Sequence, residues 1–312
     1  MNDTSKIPEV AIFLCTYNGE KHLKEQLDSI KQQTHEHWRV IVSDDGSKDG
    51  TMAILEHYQK IWGVERLEIR TGPQQHFSSN FLSLACDPQI KADYYCFCDQ
   101  DDVWLERRLE AALQSASEHE NLQKPFVYCG RTQYVSDTLQ VIGLSPLYLR
   151  PKTFTNALVQ SVAGGNTMMF NQRTKQVLEA TGVRRLPGHD WWLYLLVTGM
   201  DGVVYYDPTP YVLYRQHVAA TYGGNRGFSA KLDRFKRLFN GGFRDWCDIN
   251  NQALLEVQKV LTPRHQEELQ NFVALRKSSF LNRCFLLKKV GLYRQSFLET
   301  CIFFIAILLN KI

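Results

Sequence analysis

Short apolar runs alternate with helical-period segments along the first 120 residues. Val10–Leu14 reads as a buried strand. Leu23, Leu27 and Ile30 then recur at helical spacing, with Asn18 as the expected cap and Glu20 near the first turn. Val40–Val42 predicts a second strand, Gly46 and Gly50 predict turns, and Thr51, Ile54, Leu55 and Tyr58 open a second helix. Leu67–Arg70 and Tyr94–Cys98 predict two more strands with a helix over Asn80–Cys86 between them. Trp104–Ser117 predicts a helix whose inward side carries Leu105, Leu109, Ala112 and Leu113. This alternation implies an α/β fold with a mostly parallel sheet and helices on both faces. Ligands of such sheets sit beyond the carboxyl ends of the strands.

The pattern is mixed from Phe126 to Tyr214. Phe126–Cys129, Thr167–Phe170, Val203–Tyr206 and Tyr211–Tyr214 read as strands, and Gln172–Ala180 and Asp190–Thr198 as helices. The best boundary lies near Gly223–Gly227. It divides a catalytic body, residues 1–222, from a helical C-terminal extension, residues 223–312. Within the body, a first half of about 8–120 carries the regular alternation and a second half of about 121–222 the mixed pattern. In the extension, Phe228, Leu232, Phe235 and Phe239 share one helical face rimmed by Lys231, Arg234, Lys236 and Arg237, a pattern suited to an anionic membrane. The apolar run Cys301–Leu309 is too short to span a bilayer alone.

The 312 residues can bury a large core, and 44% apolar with 22% charged residues is ordinary for a globular enzyme. A net charge of +3 without a dominant arginine-rich stripe argues against a nucleic acid polymer as partner. Eight cysteines lack zinc-site spacing, and the N-terminus lacks the pattern of a signal peptide, so free thiols in the cytoplasm are expected.

The chemistry concentrates where strands stop. SDDGS carries Asp44 and Asp45, and CDQDD carries Asp99, Asp101 and Asp102. A single Asp after a strand is as readily a turn or helix cap. Carboxylates this close repel one another unless something neutralises them. A divalent cation with oxygen ligands does so, and it can bridge to a diphosphate. Glycine-rich dinucleotide and phosphate-loop motifs are absent, so a phosphate ligand must be held by other means. A nucleotidyltransferase or a non-catalytic sugar-binding module could also use such acids.

The stretches VAIFLCTYNGEKHLKEQLDSIKQQTHEHWRVIVSDDGSKDGT, YYCFCDQDDVW, GGNTMMFN and GHDWWL resemble family 2 glycosyltransferases of the GT-A fold over roughly residues 9–215. DQDD and YRQH resemble bacterial O-antigen and capsule transferases, rhamnosyltransferases among them. The resemblance implies a nucleotide pocket lined by Thr16, Tyr17 and Glu20, with Asp44 at the base edge and Asp45 nearby. It implies Asp99 at the ribose and the metal, Asp101 as the main ligand of Mn²⁺ or Mg²⁺, and Asp102 orienting the sugar or acceptor. Asp190 would be the general base, Gly164–Asn166 a loop under a sugar, and His217 a contact to metal or diphosphate. His189 stands where the family usually carries an acid, which leaves the base to Asp190 alone. QxxRW, the mark of processive members, is absent, so one sugar per cycle is expected. The implied donor is a nucleotide-sugar: dTDP-L-rhamnose, UDP-glucose, UDP-galactose or UDP-N-acetylglucosamine. The implied acceptor is an undecaprenyl-diphosphate-linked saccharide, and the enzyme would sit peripherally at the cytoplasmic face of the inner membrane.

Overall fold

In the computed structural model, which describes residues 6–162, 164–216 and 241–312, the strand β1 (Val10–Thr16) is buried along its whole length. It pairs in parallel with β2 (Trp38–Asp44) on one side and β4 (Tyr94–Asp99) on the other. β3 (Leu67–Thr71) lies outside β2, also parallel. Beyond β4 the sheet continues through antiparallel β9 (Met169–Asn171), then β6 (Phe126–Gly130) and β10 (Val203–Asp207), which are parallel to each other. The chain builds outward from β1 to β3, then returns to lay β4 on the other side of β1. The order therefore reverses between β1 and β4, the position at which such sheets open a crevice. Register fixes the rim of that crevice: Thr16 lies opposite Asp44, and Cys15 opposite Asp99. The expected convergence of the two acidic groups on one sheet edge is met.

Alternation along β1 sorts its side chains between two cores. Val10, Ile12 and Leu14 face α1 (Leu23–Lys31), α2 (Thr51–Trp62) and α4 (Arg108–His119). Ala11, Phe13 and Cys15 face α3 (Phe77–Ala85), α6 (Gln172–Thr181) and α7 (His189–Gly199). Both faces are covered, so the strands read as continuous apolar runs.

Several local expectations shift. Asn18 does not cap α1; it takes a left-handed backbone, φ 50°, and its side-chain oxygen accepts from the Lys48 N–H. The helix expected over Trp104–Ser117 starts later. Val103–Trp104 instead forms β5, paired antiparallel with β11 (Val212–Arg215), and Leu105 is exposed. The helix near Asn80 begins three residues earlier, at Phe77, because His76 accepts from the Ser78 N–H and supplies its cap. β5 and β11 belong to a second, small sheet with β7 (Gln133–Val135) and β8 (Val141–Leu144), strands too short to show a period in the sequence.

After the single turn α5 (Phe154–Ala157), the remaining helices are α8 (Gly242–Glu256), α9 (Pro263–Lys277), α10 (Phe280–Val290) and α11 (Phe297–Leu308). Leu254, Leu269, Phe272, Leu275 and Phe303 share one core with Trp192 and Leu195 of α7. The expected amphipathic helix over Gly227–Phe239 lies outside the described residues. Among the described residues no helix is long and apolar enough to cross a membrane.

Candidate active site

The exits of β1 and β2 are stitched into one rim. Asp44 accepts from the Thr16 hydroxyl at 2.7 Å, the Ser47 hydroxyl at 2.6 Å, and the Gly46 and Ser47 N–H groups at 3.0 and 2.8 Å. Burial opposes ionisation, but bonds of about 1.5–3 kcal/mol each to a charged group outweigh it, and the Asp44 carboxyl is held below its ordinary value. Gly46, at φ 92°, makes the turn that aims these donors back. Glu20 accepts from the Gly50 N–H at 2.8 Å at the start of α2, and Asp45 accepts from the Gln74 N–H at 2.6 Å. The ring of Tyr17 is exposed at the rim.

Gln100, not singled out in the sequence, joins this rim to the acidic turn after β4. Its side-chain oxygen accepts from the Tyr17 N–H at 2.9 Å and its amide donates to the Tyr17 carbonyl at 3.0 Å. A side chain at Gly19 would collide with Gln100, so that glycine permits the approach. Asn18, Gly19, Lys21, His22, Gln100 and Asp101 line a cleft of about 260 Å³. Gln100→Leu is expected to leave Tm nearly unchanged and raise the donor KM about tenfold, from the loss of the two hydrogen bonds that fix the exposed rim; an unaltered KM would mean the rim holds its shape without them.

Asp101 and Asp190 both come within electrostatic reach of Asp99, although Asp190 is some 90 residues away in sequence. Burial, then Asp101, then Asp190, push the Asp99 carboxyl up to about 7. Among the described residues no donor reaches the Asp99 carboxylate. Asp190 sits in the first turn of α7, where its Oδ1 accepts from the Trp191 N–H at 2.7 Å and the Gly165 N–H also donates to it. Burial nevertheless raises it to about 6, placing it where a proton acceptor is useful near neutral pH.

Among the described residues His189 has no polar partner at either ring nitrogen. It stacks on Phe81 at 4.0 Å between ring centroids and meets Phe97 edge-on at 4.5 Å, and burial lowers its pKa to about 3. It is therefore a neutral packing ring. Its edge lies where a side chain on Gly165 would have to go. Gly165→Ala should push the turn Gly165–Thr167 away from Asp190 and lower kcat by up to about 10²-fold, the cost of a displacement near 1 Å; an unchanged kcat in a folded variant would show that this turn does not hold Asp190.

Asp102 lies beneath the cleft, with no exposed surface. It accepts from the Asn166 side-chain amide and from the Arg215 N–H, the latter at 3.2 Å. Arg215, itself buried, donates to the Asp101 carbonyl at 2.8 Å, to the Asp137 carbonyl and to Glu25. Asp102 and Arg215 thus tie the acidic turn to β11 and to the loop carrying Asn166. Among the described residues no three His, Cys, Asp or Glu side chains form a ready metal cluster. Asp99 and Asp101 are two of the expected ligands, and His217 lies outside the described residues.

The family model for glycosyl transferase family 2 matches residues 11–177, which contain the strand exits, the acidic turn and the Gly164–Asn166 loop. The chain belongs to that family. It is an enzyme of glycosyl transfer, which excludes the nucleotidyl-transfer and sugar-binding alternatives. The dTDP-rhamnosyl transferase RfbG of Shigella flexneri is 27% identical over 243 residues, 74% of this chain and 81% of the relative. The UDP-Glc:alpha-D-GlcNAc-diphosphoundecaprenol beta-1,3-glucosyltransferase WfgD of Escherichia coli is 26% identical over 105 residues, 33% of this chain and 39% of the relative. The crystal structure of S. aureus TarS residues 1–349 in complex with UDP-GlcNAc superposes with a TM-score of 0.54 at 15% identity, covering 84% of this chain and 70% of that one, and attests the fold. The glycosyltransferase thus has the GT-A architecture expected, together with C-terminal helices.

Proposed function

We propose that the enzyme transfers one sugar, with inversion, from a nucleoside-diphosphate sugar to a lipid-diphosphate-linked saccharide in cell-surface polysaccharide synthesis. The observation that carries this reading is Asp190, raised to about 6 and close enough to raise Asp99 in turn. A proton acceptor thereby stands beside the carboxylates expected at the donor diphosphate.

In the reading, Thr16, Tyr17, Glu20, Asp44 and Asp45 shape the nucleotide pocket: Asp44 and Glu20 hold the loops after β1 and β2, and the exposed Tyr17 ring meets the base or ribose. The acceptor oxygen attacks C1 of the donor sugar as the bond from C1 to the diphosphate oxygen breaks, its electron pair leaving with the nucleoside diphosphate. The hydroxyl proton passes to the Asp190 carboxylate. Asp102 positions Asn166 and Arg215 below the sugar. Attack opposite the leaving group inverts the anomeric centre, and no covalent intermediate is needed.

The Asp99 carboxylate, without a donor among the described residues and beside two other acids, fits a divalent cation. Mn²⁺ or Mg²⁺ held by Asp99 and Asp101, with His217 as the expected third ligand, would offset the charge gathering on the leaving diphosphate. Residues 1–222 would carry catalysis and 223–312 would form the extension. The name of RfbG supports a dTDP-rhamnose donor, and that of WfgD supports a UDP-glucose donor and a diphosphoundecaprenol-linked acceptor.

A panel of nucleotide-sugars with Mn²⁺ or Mg²⁺, assayed on a lipid-diphosphate saccharide, tests the reading. Nucleoside diphosphate should appear together with a saccharide longer by one sugar of inverted configuration. A retained configuration, or repeated addition, would overturn it.

A further inference from the structure

The last two helices leave a broad apolar surface uncovered. On α10, Leu281 and Phe285 are 78% and 71% exposed and Phe280 is also exposed; on α11, Phe297 is 80% exposed and Leu298, Ile305 and Leu309 stand out beside it. The two helices are joined at this surface. The Arg283 guanidinium donates to the Leu308 carbonyl at 3.2 Å and to the Asn310 side-chain oxygen at 2.7 Å, which sets the start of α10 against the end of α11. The apolar strip then runs back along α11 for about 18 Å.

Charge argues for what covers it. Residues 277–312 carry six basic side chains and one acidic. Arg283, Arg294 and Lys289 are engaged within the protein, while Lys277, Lys288 and Lys311 are exposed and form no ion pair among the described residues. A second copy placed face to face by two-fold symmetry would set these lysines against their own kind. An anionic lipid surface meets both the apolar strip and its basic rim, and α11, too short to span, suits the interface plane. α11 lies between this strip and the site: its buried Phe303 is 5.9 Å from the Phe243 ring, which is 5.9 Å from the ring of Trp191, adjacent to Asp190.

We propose that the exposed face of α10 and α11 seats the enzyme on an anionic bilayer, with the α7 side of the cleft turned toward the membrane. The orientation rests on the lipid-linked acceptor proposed above; the seating does not.

The test is cosedimentation of the full chain with vesicles of phosphatidylcholine, with and without about 30% phosphatidylglycerol. The protein should pellet with the anionic vesicles and release at about 0.5 M salt. Leu281→Ser combined with Phe285→Ser and Phe297→Ser should weaken binding about tenfold or more. Lys277→Glu with Lys288→Glu should do the same from the charged rim, a second route should the first variant fold poorly. Transfer to a water-soluble acceptor analogue should stay within about twofold of the parent for both variants, because neither touches the cleft. Parent protein left in the supernatant, or variants that bind vesicles as well as the parent, would overturn the seating. So would a parental dimer that the serine variant converts to monomer. Failure of the parent to transfer sugar while it still pellets would count against the proposed reaction, not against the membrane face.

Discussion

Asp190→Asn should lower kcat by roughly a thousandfold while the donor KM moves by less than about threefold, the pattern of a lost general base. Asparagine keeps an oxygen for the Trp191 and Gly165 N–H groups, so the α7 start keeps its hydrogen bonds. Parental activity should rise with pH through about 6 as Asp190 loses its proton, and the residual activity of the variant should lack that limb. Stability should move the other way. Below about pH 4 both folded and unfolded chains keep this proton, and parent and variant stand level. Between about pH 4 and 6 the unfolded chain ionises first, so the folded parent loses stability, and above about pH 6 the loss is complete. The variant should therefore melt higher than the parent at pH 8, by about 4 °C for about 3 kcal/mol, and no higher at pH 4. Parental turnover from the variant would remove Asp190 from the chemistry; an equal gain at both pH values would trace the stability to packing instead.

Asp101→Asn should cost transfer about 10²–10³-fold, and the parent treated with chelator should fall to a similar level, because both remove the cation's share of charge stabilisation. Adding Mn²⁺ should restore the chelated parent and leave the variant low. Calorimetry should show nucleoside diphosphate binding the parent more tightly with the metal than without it, and the variant indifferent to the metal. Full transfer by a thoroughly chelated parent would remove the ion from the mechanism, and the three acids would then need another source of positive charge.

The hydrophobic period made the strands and helices of the first 120 residues readable, because a fully buried parallel sheet writes continuous apolar runs into its strands. The placement of SDDGS and CDQDD at one edge followed from that alone, since strands of a parallel sheet end on the same side. Asp102 could not be distinguished from its neighbours in that way. Adjacent residues after a strand point differently, and only the fold sends Asp101 to the cleft and Asp102 down to Asn166 and Arg215. Gln100 carried no signal either, because a glutamine pairing with a backbone has no spacing to betray it. His189 stands where the family usually carries an acid; the rings of Phe81 and Phe97, distant in sequence, make it a neutral wall.

What the chain's order of residues determined by itself was the layered α/β plan, the carboxylate sites at strand ends and the family to which they point. Tertiary structure alone decided which carboxylates meet. Proximity between Asp99 and Asp190, and the desolvation that raises both, arise when β4 and the start of α7 pack across a common core, and neither quantity exists in an unfolded chain.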